Sequence, residues 1–447
     1  MTRRIEPLEH PPDHVVDLPG SKSVTNRALL LAALAEGRSQ LSGVLFADDT
    51  SAMLECVGVL GATVDVDEQT ATVVIDGTAG SLLAGPRELD ARQSGTTARF
   101  VAAALLAGRG RYRLDGDEQM RARPMAELVD ALVALGATVE STDGGLPLSI
   151  EVAARPGGAV TLDASRTSQF ASGLMMVGPL LDEGLTLDLV GTVVSQPYLD
   201  MTMRLMTAFG AEVDNTPTGY RVAPGCYRGR RYDIEPDASA ASYFFGAAAL
   251  TGGRITVPGL GTDALQGDVG FVDVLQAMGA EVEIDVHATT VTGRPLHGID
   301  VDLRHLSDTV PTLAVVAAAA SSPTTITGVG FIRVKESDRI GAVVTELRRL
   351  GVDAAEDDDG LTVVPGPHRT ATVETYDDHR LAMAFALLGL RGPAVDIAGP
   401  GCVAKTFPDY FAVLDRLRSR PDRTATDESG SEEEDVGESE LTVIAID

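Results

Sequence analysis

Lysine is almost missing from this chain. Of its 36 basic residues only Lys22, Lys335 and Lys405 are lysines, which leaves 33 arginines. A composition that removes lysine so thoroughly keeps it where a compact ammonium cannot be replaced by a guanidinium fork, so the three survivors are candidate functional groups. Cysteine is scarce too: Cys56, Cys226 and Cys402 form an odd, widely spaced set with no CxxC. That speaks against a disulfide framework or a structural zinc site and suits a reducing compartment. No apolar run approaches the roughly 18 residues of a membrane helix, and residues 1–9 carry charges with no apolar signal segment. The expectation is a soluble, unexported, cytoplasmic protein.

Positive charge is deficient as a whole, with a formal net charge of −29. Residues 419–447 hold ten acids and two arginines, a net −8, which leaves −21 on the body. So acidic a surface repels nucleic acid and anionic lipid, and neither is expected as a partner. Together with the lysine scarcity it resembles the proteins of salt-loving organisms. The run from Asp427 to Asp435 reads as a disordered acidic tail, and 441–446 has the pattern of a strand.

What the chain does contain is repetition. A helix with a Leu-Gly-Ala-like stop recurs around Gly61, Gly136, Gly210, Gly279 and Gly351, at spacings of 75, 74, 69 and 72 residues. Nearly all-apolar segments recur in the same register at 27–37, 96–108, 169–184, 239–252, 309–321 and 379–392. Units of about 72 residues are too long for a solenoid, so they read as six α/β units of a globular fold, two domains of three. The sixth stop is missing, and a strand near 15–18 is expected to complete that last unit. The expected domains are 1–20 with 236–418, and 21–235 inserted between, so that the chain crosses twice and leaves a cleft.

The densest chemistry lies at the helix starts. Pro19-Gly20-Ser21-Lys22-Ser23-Val24-Thr25-Asn26-Arg27 puts a glycine, two hydroxyls, a lysine and an arginine at the positive end of an apolar helix, an anion site. The other apolar helices open on Ser94-Gly95-Thr96, Thr167-Ser168-Gln169, Asp237-Ala238-Ser239, Asp308 and Asp377-Asp378-His379-Arg380. Under threefold pseudosymmetry these starts converge on the cleft; for Asp237 and Ser239 ordinary capping is the competing reading. Arg333-Val334-Lys335-Glu336-Ser337-Asp338-Arg339 offers two cations and a carboxylate able to carry a proton, and Lys405 follows Ala404 before Pro408. Asp308, opening an apolar helix near cations, is a candidate base. His379 is either a proton carrier or a satisfied core histidine. Arg121-Ala122-Arg123-Pro124 is either a second anion contact or a solvated loop.

In this order, PGSKSVTNRALLLAALA, SGTTARF, RARPM, TSQF, SQPY, DASAASYF, RVKESDR, DDHRLAMAF and AKTFPDYF resemble the 5-enolpyruvylshikimate-3-phosphate synthases, over residues 15 to about 418. The resemblance implies the enolpyruvyl transferase fold, α/β, with two domains of three βαβαββ units each and the active site between them. It implies transfer of the enolpyruvyl group of phosphoenolpyruvate to the 5-hydroxyl of shikimate 3-phosphate with loss of phosphate, in aromatic amino-acid biosynthesis, with no cofactor or metal and as a monomer.

Carried over by motif, shikimate 3-phosphate falls to Lys22, Ser23, Arg27, Thr167, Ser168, Gln169, Ser195, Tyr198, Asp308 and Lys335. Phosphoenolpyruvate, or the inhibitor glyphosate in its place, falls to Lys22, Gly95, Arg123, Gln169, Arg339, Arg380 and Lys405. Catalysis falls to Asp308 as base and to Glu336 or Lys22 at the methylene and the leaving group, with His379 beside them. The chain departs from the family at Thr167, often serine; at Phe331, asparagine in some members; and at Gln93-Ser94, usually Asn-Ala. A sister transferase acting on UDP-N-acetylglucosamine is disfavoured because residues 108–124 hold no cysteine and Lys22-Ser23 replaces its Lys-Asn pair. A non-catalytic binder of phosphorylated metabolites is disfavoured by Asp308 and Glu336, since carboxylates weaken plain anion binding.

Overall fold

A computed structural model describes residues 1–419; the expected acidic tail and the strand at 441–446 lie outside them. Five four-stranded sheets share one pattern, and a sixth sheet has three strands. In the second unit Arg87–Asp90 runs parallel to Gly110–Asp115, which pairs antiparallel with Gly145–Val152, itself in a hairpin with Thr138–Thr142. The buried helix Gly95–Ala104 makes the parallel crossover, and the amphipathic helix Ala126–Ala134 leads into the hairpin, giving βαβαββ. The same four-strand order recurs in the first, third, fourth and fifth units.

The stops work as their sequence suggests. At Gly61, Gly136, Gly210, Gly279 and Gly351 φ is between +88° and +113°, a region that only glycine enters without strain. In each the next residue's N–H bonds the carbonyl five residues back, as Ala62 to Val57 at 3.1 Å and Val352 to Leu347 at 2.9 Å, which closes the orphaned helix carbonyls.

The six apolar helices are Lys22–Leu34, Gly95–Ala104, Gln169–Val177, Ala238–Thr251, Val310–Ala317 and His379–Arg391. The first begins five residues earlier than its apolar run, because Ser21 caps it by accepting from the Val24 N–H at 3.3 Å. Lys22 and Ser23 therefore sit within its first turn. The second and third end earlier than expected, tightening into 3₁₀ turns at Leu105–Ala107 and Gly178–Leu180, and the fifth ends at Ala317.

The expected completion of the sixth unit by 15–18 is corrected. Thr2–Ile5 pairs with Val395–Ala398 there, while Asp13–Val15 runs parallel to Arg254–Pro258 in the fourth unit. Arg231–Asp233 likewise supplies the parallel strand of the first unit, beside Arg38–Ser42.

Two separate apolar cores result, one running from Val24 to Ile234 and the other from Ile5 and Val16 through Ala238 to Leu417. The two connecting segments lie side by side: Ser21 N–H bonds Glu235 O at 2.8 Å and Asp237 N–H bonds Pro19 O at 3.0 Å. Gly20 is required at this joint, since a Cβ there would stand 1.8 Å from Gly43 O. All three thiols are free, and among the described residues no helix is long and apolar enough to cross a membrane.

Candidate active site

The helix starts meet where the two halves face each other. One small cavity, about 40 Å³, is lined by Lys22, Ser23, Arg27, Thr96, Thr167, Ser168, Gln169, Ser195, Tyr198, Ser307, Asp308 and Lys335, which come from both cores. A second, smaller one shares Lys22 and adds Asp237, Ser239, Tyr243 and Arg380. Between them these two adjoining cavities take lining residues from the starts of all six apolar helices, whose dipoles favour anions there.

Arg27 is buried without a carboxylate. Its Nε donates to Thr202 Oγ1 at 2.7 Å and its guanidinium lies 4.9 Å from the Phe100 ring centroid, while burial pushes its pKa down to about 10. Lys335 also forms no ion pair among the described residues. It lies 5.7 Å from the Phe331 ring centroid, so the phenylalanine that departs from the family pattern holds this ammonium by its face, and desolvation lowers its pKa to about 8. Cations withdrawn from solvent without a counter-charge are costly, which makes this part of the site receptive to a phosphate.

Thr167 Oγ1 accepts from the Gln169 N–H at 3.2 Å, and Ser168 makes no side-chain capping bond, which leaves its hydroxyl available. Ser195 holds a left-handed backbone with φ +55°, tied by its N–H to Arg304 O at 3.0 Å across the cleft. Gln169 is fixed between Thr96 Oγ1 at 3.3 Å and the Arg99 guanidinium.

Asp308 is the hub of the other half. It accepts from Arg339 Nη1 at 3.1 Å, from Arg380 Nη2 at 2.6 Å and from the Tyr198 hydroxyl at 3.3 Å. Burial works to raise its pKa, but Arg380, Arg339, Lys335 and Lys22 hold the carboxyl well below the usual range. Glu336 behaves alike: against burial, Arg123 at 3.3 Å and Arg339 at 2.7 Å keep it ionised. Arg339 owes its orientation to Asp378, fully buried, which accepts from its Nε at 2.8 Å and caps the helix that carries Arg380.

His379 is buried and held uncharged in the free protein. Both ring nitrogens are buried without a partner, and burial with the charges of Arg380 and Lys22 holds its pKa well below the ordinary value. Asp237 and Ser239 do more than cap. Asp237 accepts from the Ala240 N–H at 2.8 Å and also from the Lys22 N–H at 2.9 Å, tying the two halves' first helices together.

The arginines of the 121–124 run separate cleanly. Arg121 pairs with Asp115 on the surface, while Arg123 turns inward to Glu336. A Cβ on Gly95 would stand 2.8 Å from Arg123 Nη1 and 3.4 Å from Arg99 Nη1, so this glycine faces both guanidinium groups. Lys405 Nζ donates to Gln93 O at 2.8 Å and lies 2.9 Å from Asp49, whose other oxygen is 3.4 Å from Lys22.

Sequence reasoning missed four of these groups. Asp49, 3% exposed, joins two of the three lysines; Arg99 positions Gln169; Asp378 aligns Arg339; and Asp268 meets Tyr198. Asp49 and Asp268 read locally as helix-start acids, and only tertiary contacts reveal them. Among the described residues no cluster of three or more His, Cys, Asp or Glu offers a metal site.

Comparison with known proteins accords with this geometry. A family model described as EPSP synthase (3-phosphoshikimate 1-carboxyvinyltransferase) matches residues 10–414. A 3-phosphoshikimate 1-carboxyvinyltransferase from Nostoc punctiforme is 46% identical over 418 residues, covering 92% of this chain and 97% of the relative. One from Serratia proteamaculans is 43% identical over 417 residues, covering 90% and 95%. The EPSP synthase structure from Acinetobacter baumannii superposes with a TM-score of 0.80 at 26% identity, over 93% of this chain and 98% of that one. The enolpyruvyl transferase NikO from Streptomyces tendae shares the fold, with a TM-score of 0.73 at 21% identity over 93% and 96%.

Proposed function

The chain belongs to the EPSP synthase family, and from that premise we infer that it transfers the enolpyruvyl group of phosphoenolpyruvate to a hydroxyl of shikimate 3-phosphate, releasing phosphate. It is a transferase of the shikimate pathway, which supplies aromatic amino acids. The observation that carries this reading is a cavity lined from both halves by Arg27 and Lys335, which have no carboxylate partner among the described residues, together with the ion-paired Asp308.

On this reading Lys22, Ser23, Arg27, Ser168, Gln169, Ser195, Tyr198 and Lys335 hold shikimate 3-phosphate. Arg123, Arg339, Arg380, Lys405 and Lys22 hold the two anionic groups of phosphoenolpyruvate. Asp308 takes the proton of the acceptor hydroxyl as its oxygen bonds to the central carbon of phosphoenolpyruvate, and Lys22, or Glu336 once substrate has drawn Arg123 and Arg339 away and it has gained a proton, protonates the methylene. As the C–O bond to phosphate breaks, the methyl group returns a proton to that same donor and the proton held by Asp308 passes to the departing phosphate, so that atoms and charges balance.

In the free protein Arg339 and Arg380 make Asp308 a weak base. A carboxylate or phosphate that engages those guanidinium groups relieves the depression, so base strength rises when the second substrate is in place.

The test is phosphate release with shikimate 3-phosphate and phosphoenolpyruvate together. Release with both and with neither alone supports the reading; release with UDP-N-acetylglucosamine as acceptor instead overturns it. Glyphosate is proposed to compete with phosphoenolpyruvate at Gly95, Arg123 and Lys405. We propose further that residues 1–20 with 236–418 and residues 21–235 form two domains that part to admit substrate. The chain is proposed to act as a cytoplasmic monomer in a salt-adapted cell, supported by a site complete within one chain, free thiols and the acidic surface.

A further inference from the structure

Behind the substrate-facing hydroxyl of Tyr198 lies a second carboxylate. Asp268, in the short helix Gly267–Gly270, is 3% exposed, and its Oδ2 stands 3.2 Å from Tyr198 Oη while Asp308 Oδ2 stands 3.3 Å from the same atom. Ser239 donates to Asp268 Oδ2 from the start of Ala238–Thr251, and Asp268 Oδ1 has no partner among the described residues. One phenolic hydrogen thus faces two acceptors, buried Asp268 and partly exposed Asp308, and can serve only one at a time.

We propose that Asp268 is a positioning residue for Asp308: through the hydroxyl they share, it decides which carboxylate the Tyr198 proton serves, and so how readily Asp308 takes the acceptor's proton. This inference rests on the activity proposed above. When Asp268 is protonated it donates to Tyr198 Oη, and the phenol hydrogen turns to Asp308. The base then gains a third donor beside Arg339 and Arg380 and weakens. When Asp268 is ionised it draws the hydrogen to itself and adds a negative charge nearby, and both effects strengthen Asp308.

The groups facing Asp268 are Ser239 and Asp237 at the start of Ala238–Thr251, Tyr198 on Gln196–Ala208, Asp308 and Arg380. Burial first, then the charge of Asp308, pushes the Asp268 pKa up to about 6, against the Ser239 bond and Arg380, so the change of state falls within the working range of pH.

The experiment is kcat against pH from about 5 to 9 at saturating substrates for wild type, Asp268→Asn, Ser239→Ala, Tyr198→Phe and Asp268→Asn with Tyr198→Phe. Substrate phosphates also titrate near pH 6, about the same place, so the reading is the difference from wild type. Asp268→Asn should lose the enzyme's share of the rise in kcat through pH 6 and fall about tenfold at neutral pH, with KM for shikimate 3-phosphate within about twofold. Ser239→Ala, which removes a donor to the ionised carboxylate, should move that rise to higher pH. In the Tyr198→Phe background the Asp268→Asn loss should nearly vanish.

Superimposed profiles for wild type and Asp268→Asn overturn the inference, as do fully multiplicative losses in the double variant. Should Asp268→Asn fail to fold, an unmoved Ser239→Ala profile overturns it alone. Absence of turnover in wild type as well overturns the activity and the inference with it; turnover with unchanged profiles overturns only the inference.

Discussion

The three lysines lie in distinct surroundings, and the proposed function gives each a duty that a guanidinium would fill poorly. Lys22 and Lys405 share Asp49, and Lys335 lies against an aromatic face without a carboxylate partner. Replacing each by arginine should lower kcat at least about tenfold, or about 1.4 kcal/mol of transition-state stabilisation, in steady-state kinetics. Asp308→Asn removes the acceptor of a proton and no cation, so turnover should drop by about 10² to 10⁴ while shikimate 3-phosphate binding, by calorimetry, stays within about tenfold.

Lys335 also gives a dependence on pH with a definite sign. In the free protein its pKa is lowered to about 8, and a bound phosphate raises it again. Binding therefore takes up a proton above pH 8, and affinity should be level below that pH and fall above it, by up to about tenfold per unit. Affinity that holds level to pH 10 would show that Lys335 does not meet the phosphate. At Gly95, where a Cβ would press on Arg123, an alanine should crowd glyphosate more than the shorter phosphoenolpyruvate. The inhibition constant should rise much more than KM for phosphoenolpyruvate; equal constants for the two proteins would take Gly95 out of the pocket.

At the scale of elements, each hairpin hangs on a glycine turn. Gly351 has φ +88° and no neighbour within 3.6 Å of a Cβ, so Gly351→Ala isolates the backbone cost, about 1–2 kcal/mol in chemical denaturation. The Gly20→Ala change meets Gly43 O directly and should cost more. These stops were legible because Leu-Gly-Ala after an apolar stripe has one structural solution, and the helix starts because Ser, Lys and Asp in front of apolar runs have few.

The strand Thr2–Ile5 was not legible. Its sequence TRRI shows no alternation, and it is a strand because Val395–Ala398 offers it an edge nearly 400 residues away. Asp268 and Asp49 were hidden for a similar reason. Their sequence neighbours describe ordinary helix starts, and their roles come from Tyr198 and from Lys22 with Lys405.

At the scale of the molecule, the pocket lined by Arg27, Asp308 and Lys335 is about 40 Å³, below the roughly 300 Å³ of small-ligand sites, while a neighbouring one of about 370 Å³ is lined from both halves by Asp49, Gln93 and Lys405; the proposed parting of the halves would join and enlarge them. Contacts such as Arg123 with Glu336 and Lys405 with Gln93 O cross between the halves and would break and re-form on the proposed opening. The −21 charge of residues 1–418 repels itself, and salt screens that repulsion. The thermal midpoint should therefore rise from low to molar potassium chloride; a flat or falling curve contradicts the salt adaptation. Deleting residues 419–447 should leave turnover unchanged, since every site residue precedes them.

The central claim is that one cleft holds two phosphorylated substrates and joins them. Phosphorus NMR of an equimolar mixture of shikimate 3-phosphate and phosphoenolpyruvate with the protein tests it most directly. The phosphoenolpyruvate resonance should give way to an equal amount of inorganic phosphate, while the shikimate 3-phosphate resonance gives way to that of a new phosphate ester. Neither should change when its partner is omitted. Phosphate released from phosphoenolpyruvate alone, or a mixture that keeps both resonances, would contradict the account.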